Sequence, residues 1–149
     1  MPLKDRLLDD IKAAMRAKDK SRLATLRLIN ADIKQREVDE QTTLDDLAVI
    51  AVLERMVKQR RESISQYRAA ERLDLADREQ QEVDIIRSYL PEPLAEAELD
   101  AAIAGAVAET GAQSVKDMGK VMALLKGRLQ GRADMAVVSA RVKERLGAP

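Results

Sequence analysis

The chain contains no cysteine, no histidine, no phenylalanine and no tryptophan, and only two tyrosines. Without cysteine there are no disulfides, thiolate nucleophiles or sulfur-ligated metals; without histidine the commonest metal ligand and general base is missing. A core must be assembled from Leu, Ala, Val, Ile and Met, and the two tyrosines offer little surface for stacking nucleic-acid bases. No P-loop and no dinucleotide glycine fingerprint is present. The longest apolar run, Leu47 to Leu53, is far too short to span a bilayer. With no charged-then-apolar leader pattern at the start, the expected compartment is the cytoplasm, away from membranes.

What is present is helical material. The chain has 149 residues, 46% of them apolar and 35% charged, enough for a packed core in one domain or two small lobes. Ala, Glu, Lys, Arg and Leu dominate, and all favour helix. The net charge is zero, but unevenly spread. From Ser114 to the end there are eight Lys/Arg against three acids, a local +5 that leaves −5 for the remainder. Such asymmetry suggests a polyanionic partner for the C-terminal part.

Apolar stripes at helical spacing recur along the whole sequence. Pro2 suits a first helical turn, and Leu7, Leu8, Ile11, Ala14 and Met15 carry a helix to about Ala17. Asp19 or Ser21 can cap a second, with Leu23, Leu26, Ile29 or Asn30, and Ile33 as its stripe, ending near Val38. Thr43 and Asp46 read as a capping box opening a long helix from Leu44 to about Ala70. A buried strand over Leu47 to Leu53 is the competing reading, since a short apolar run does not reveal its period. A fourth helix runs from about Ala76 to Tyr89, and "YLPEP" stops it. Then come an acidic helix closed by Gly111, a helix from a capping-box-like Ser114/Asp117 start to about Leu129, and a last helix capped by Asp134 and ended by Gly147. No repeat or coiled-coil heptad array stands out. The expected architecture is all-α: an N-terminal helical bundle over residues 1–90 and a smaller three-helix lobe over 94–149.

The segment "DMGKVMALLKGRLQGRADM" carries the most functional information. Met118, Val121, Met122, Leu125 and Leu129 share one arc of a helical wheel drawn at about 100° per residue. Gly119, Ala123 and Gly127 recur every fourth residue on another, bordered by Lys116 and Lys120. A row without side chains admits a second backbone, from a neighbouring helix or from a nucleic acid whose phosphates the lysines would meet. Both readings are open. Gly131 either supplies a positive φ or belongs to a contact surface. Arg132 stands beside a helix N-terminus that already favours an anion, and is otherwise a solvated or ion-paired arginine. Lys126 and Arg128 extend the basic set, and Arg141 and Arg145 stack one turn apart on the last helix, where cations also suit the helix dipole. The clusters "KDKSR" (18–22) and "KQRRES" (58–63) read as solvated faces.

"KDKSRLATLRLINADIKQREVDE", "YLPEPL" and "KDMGKVMALLKGRLQGRADMAVVSARVKERL", in that order over nearly the whole chain, resemble the YqeY family of small bacterial proteins. The last stretch also resembles the tail domain of GatB, the tRNA-handling subunit of the glutamine-dependent aspartyl/glutamyl-tRNA amidotransferase. The resemblance implies two all-helical lobes, with "KDMGKVM" and "GRAD" as the signature of a lobe that helps hold tRNA. Met135 departs from the tail pattern, where glycine often follows the Asp. The family label implies a carbon-nitrogen ligase using glutamine as amido donor, but the likeness reaches only the tail, and no residue set for that chemistry is visible.

The expectation is therefore a non-catalytic tRNA-binding accessory module, free or beside an amidotransferase or an aminoacyl-tRNA synthetase, with no metal and no cofactor. Its nucleic-acid-binding candidates are Lys116, Lys120, Lys126, Arg128, Arg132, Arg141 and Arg145, and its close-approach positions are Gly119, Ala123, Gly127 and Gly131. The alternatives are a protein–protein adapter without RNA affinity and an enzyme using carboxylates alone. Against the latter, the Asp/Glu residues stand one turn from Lys/Arg, as surface ion pairs do.

Overall fold

The structure is a computed structural model that describes residues 1–147; the last two residues of the expected second lobe, 148 and 149, lie outside them. Among the described residues there are seven α-helices, one 3-10 turn and no strand, so the chain is all-α. It divides into two compact units, one covering Met1–Pro91 and the other starting at Glu92.

The first unit holds α1 (Leu3–Arg16), α2 (Lys20–Glu40), α3 (Asp46–Ala69) and α4 (Leu73–Arg87). Asp19 caps α2, its side chain accepting from the Arg22 amide at 3.2 Å. The Leu47 to Leu53 run is helical. Val49, Ile50, Val52, Leu53, Met56 and Val57 are all buried, because α3 packs against α1, α2 and α4 and must be apolar around much of its circumference. The Thr43/Asp46 capping box does not form. Asp45 is the N-cap, accepting from the Ala48 amide at 2.9 Å, and the helix begins two residues later than Leu44. Leu44 explains the shift: it is buried in the core and its amide donates to the Glu37 carboxylate at 2.8 Å, so it is anchored before the helix starts. Asp46 instead accepts from the Leu3 amide at 3.0 Å, tying the first turns of α1 and α3 together.

The interior of this unit is aliphatic, centred on Leu26, Ile29, Ile33, Leu53, Met56 and Ile86. Its one buried aromatic, Tyr89, lies just past the end of α4. The Tyr89 hydroxyl donates to the Asp10 carboxylate, the Arg6 guanidinium lies 4.6 Å from the ring centroid, and Arg6 also donates to the Ser88 carbonyl at 3.0 Å. Burial and the adjoining Asp10 both push the Tyr89 hydroxyl's pKa upward.

The second unit holds α5 (Glu96–Thr110), a 3-10 turn (Val115–Asp117), α6 (Met118–Leu129) and α7 (Met135–Gly147). Gly111 ends α5 at φ +66° and Gly131 turns the chain between α6 and α7 at φ +85°, a backbone region where side chains are costly. The Ser114/Asp117 box does not form either. Ser114 makes no capping hydrogen bond, a 3-10 turn precedes the helix, and Asp117 accepts from the Gln113 amide at 3.0 Å. Asp134 does cap α7, accepting from the Ala136 amide at 2.9 Å. Leu99, Ile103, Ala106, Val121, Leu125, Leu129, Val138, Val142 and Leu146 form the core, with Met118, Met122 and Met135 packed at its edge.

Candidate nucleic-acid interface

The two faces of α6 are sharply different. Val121, Leu125 and Leu129 are buried in the core of the second unit. Opposite them Gly119, Lys120, Ala123, Lys126 and Gly127 are exposed, and Lys116 is exposed in the 3-10 turn just ahead. A Cβ placed on Gly119 or Gly127 would meet no heavy atom within 4 Å. The row of small residues therefore serves no tight helix contact within the described chain; it is an open strip a little over two turns long with lysines on its borders.

The seven basic candidates separate into two groups. Arg128 pairs with Glu109 of α5 at 2.6 Å. Arg141 reaches two acids one turn apart on α5, Glu96 at 2.6 Å and Asp100 at 2.9 Å, and the Glu96 hydrogen bond is the main reason its pKa is raised. Arg132 is half-buried: its Nε donates to the Glu92 carbonyl at 3.3 Å, while its own carbonyl accepts from the Leu94 amide at 2.9 Å. These arginines fasten the start of the unit and α5 onto the α6–α7 pair. Lys116, Lys120, Lys126 and Arg145 form no ion pair among the described residues. Lys120 does act on Asp117, whose carboxyl is held below its ordinary value chiefly by the Gln113 amide and also by the nearby ammonium.

An arginine already bound to carboxylates must give up those bonds before it can hold a phosphate, whereas a hydrated lysine is available as it stands. The arrangement therefore concentrates available positive charge beside the open strip of α6. Sequence reasoning did not connect Glu96, Asp100 and Glu109 with the arginines that they engage. Their signal was the i, i+4 spacing of Glu96 and Asp100, but their partner lies 41 residues on from Asp100, beyond any local pattern. Among the described residues no group of three or more carboxylates is placed to hold a metal ion. Nor, among the described residues, is any helix long and apolar enough to cross a membrane.

The sequence matches the family model of the Yqey-like protein over residues 4–146. It is 34% identical over 148 residues to "Altered inheritance of mitochondria protein 41, mitochondrial" of Pyrenophora tritici-repentis, covering 96% of this chain and 80% of that protein. The protein of the same name from Lachancea thermotolerans is 39% identical over 106 residues, 69% of this chain and 57% of the relative. That of Saccharomyces cerevisiae is 33% identical over 95 residues, 63% of this chain and 51% of the relative. These relatives correct the expectation of a cytoplasmic protein, since their names point to the mitochondrion. The expectation rested on the absence of a charged-then-apolar secretory pattern, and that pattern is silent about a mitochondrial address, which amphipathic, Arg-rich segments carry instead. On a match that runs almost from end to end, the chain belongs to the Yqey-like protein family.

Proposed function

We propose that this chain is a tRNA-binding accessory module that holds the RNA's sugar–phosphate backbone against the open face of α6 and leaves chemistry to a partner, an amidotransferase or an aminoacyl-tRNA synthetase. The observation that supports it best is the coincidence of an unobstructed Gly119–Ala123–Gly127 strip with three exposed lysines, Lys116, Lys120 and Lys126, that make no ion pair among the described residues. A strip without side chains lets a phosphate backbone approach the helix, and flexible ammonium groups at its borders neutralise charge without selecting a sequence. The resemblance of the same stretch to the GatB tail supplies the choice of tRNA among nucleic acids.

The test is a titration of tRNA with wild type and with the Lys116/Lys120/Lys126 triple alanine at two salt concentrations. The triple variant is expected to bind different tRNAs more weakly by similar factors. Its salt dependence should flatten by a slope of up to roughly 0.9 for each duplex phosphate that the lysines no longer neutralise. Indistinguishable curves overturn the proposal. The purified protein is expected to hydrolyse neither ATP nor glutamine; turnover of either, abolished by one point substitution, would show a catalytic site instead.

The same open strip favours one other reading, an adapter that docks a protein helix on Gly119 and Gly127. In that case Gly119→Leu abolishes partner capture, while the lysine substitutions change nothing.

A further inference from the structure

The outward face of α2 is the least explained surface of the first unit. Its inward face holds Leu26, Ile29 and Ile33 in the core. On the outward side Ala24, Leu28, Ala31 and Val38 are also exposed, Leu28 by 45% and Val38 by 71%. A helix that is apolar on two opposite faces has a second surface to cover. The spacing of that second surface is a heptad one: Ala24, Ala31 and Val38 recur every seven residues, and Leu28 and Gln35 form the companion position between them. It escapes a sequence scan because the core stripe of the same helix overlies it.

The flanks carry the information about the occupant. One edge is basic, with Lys20, Arg27 and Lys34 at seven-residue intervals; the other is acidic, with Asp32 and Asp39. All five are exposed, and Arg27, Asp32 and Lys34 form no ion pair among the described residues. Gln35 donates to Asp39 at 2.9 Å, which holds that carboxylate on its flank. When two copies of one helix pair antiparallel about a two-fold axis, each edge meets itself, so basic would face basic. When they pair in parallel, the edge before the seam meets the opposite edge of the partner five residues on. Arg27 and Asp32, and Lys34 and Asp39, are each five residues apart.

We infer that the outer face of α2 is a self-association surface on which a second copy of this chain packs α2 against α2 in parallel, Arg27 facing Asp32 and Lys34 facing Asp39 of the other copy. The small residues of the seam let the two helices come close, and the oppositely charged edges select a second copy in one direction. This inference is independent of the proposed RNA face, which lies on α6.

Equilibrium sedimentation of the full chain tests it, with circular dichroism confirming that each variant is folded. The mass of the wild type is expected to rise with concentration from 16.5 kDa toward twice that value. Arg27→Asp/Lys34→Asp has two acidic edges and Asp32→Arg/Asp39→Arg two basic ones, so each alone should stay monomeric. An equimolar mixture should associate again. Direction is read by cross-linking, because the chain has no cysteine of its own. Ala24→Cys and Val38→Cys should each form a disulfide dimer alone under mild oxidation. A wild type that stays monomeric at every concentration overturns the inference, as do cysteines that cross-link only when the two variants are mixed, which is the antiparallel result.

Discussion

Replacing Gly119 and Gly127 by alanine sets stability against function. Each glycine is helical, and at each a methyl group would enter open space, so the substitution gains helix propensity at no steric cost. A mid-helix glycine costs about 1 kcal/mol relative to alanine. Gly119 is the second residue of α6, where fewer of its neighbours are constrained, and Gly127 is the third from the end. We assign about 0.5 kcal/mol to the first and about 1 kcal/mol to the second. They are roughly 12 Å apart along the axis, far enough to add to about 1.5 kcal/mol. In a cooperative unit of this size that raises Tm by roughly 6–12 °C.

If a phosphate backbone lies on the strip, the same two methyl groups hold it away from the helix, and tRNA affinity should fall by about tenfold, or 1.4 kcal/mol. Gly105→Ala is the control: it lies in the middle of α5, is exposed, and its Cβ also meets nothing within 4 Å. It should stabilise by about 1 kcal/mol and leave binding alone. Urea unfolding followed by circular dichroism and a tRNA titration on the same samples measure both effects. A double variant that gains stability and binds as tightly as wild type refutes the close approach of a backbone. One that gains no stability refutes the open strip itself.

Two further outcomes concern the packing. Tyr89→Phe removes the hydroxyl that donates to Asp10 and should cost about 1 kcal/mol; because burial and then Asp10 raise the Tyr89 pKa, the wild type loses this stabilisation as pH climbs above the ordinary tyrosine value of about 10, and alkaline unfolding curves of the variant should be flatter there. Leu125→Ala empties a fully buried position of the second core and should cost about 3 kcal/mol. Limited proteolysis is then expected to cut within residues 92–147 while the first unit survives, and loss of both units together would mean that they unfold as one.

The helices were legible because their signals are local. Stripes such as Leu26–Ile29–Ile33 and Val121–Leu125–Leu129 repeat at helical spacing, and Asp19, Gly111 and Asp134 end or begin helices with chemistry confined to a few neighbours. The start of α6 moved for a local reason, a 3-10 turn closed by Asp117 on the Gln113 amide, but the start of α3 was set by groups outside the helix. Leu44 stays out of α3 because Glu37 and the core hold it, and Asp46 is spent on the amide of Leu3. Sequence alone also brought lysines and arginines together as one basic set. Only the fold separates them, because the acids that engage Arg128 and Arg141 lie 19 residues from the first and 41 and 45 from the second.

That separation changes the meaning of the charge asymmetry. The +5 carried from Ser114 onward belongs to the same unit as α5 and its approach, and from Glu92 to the end eight Lys/Arg balance eight Asp/Glu. The second unit is therefore neutral but internally polarised, and a polyanion would respond to a local patch within a screening distance of about 8–10 Å. If the unit holds RNA as proposed, the acids of α5 oppose that binding by occupying arginines, beyond any effect of their charge alone. Glu96→Gln with Asp100→Asn frees Arg141 to reach a phosphate, whereas Glu92→Gln with Glu98→Gln removes the same charge from carboxylates that hold no arginine side chain. In tRNA titrations at one salt concentration the first pair should tighten binding several times more than the second, about 1 kcal/mol for one added phosphate interaction. Equal gains from the two pairs would mean that only the summed field matters and that Arg141 takes no part. No gain from either would place the RNA elsewhere on the chain.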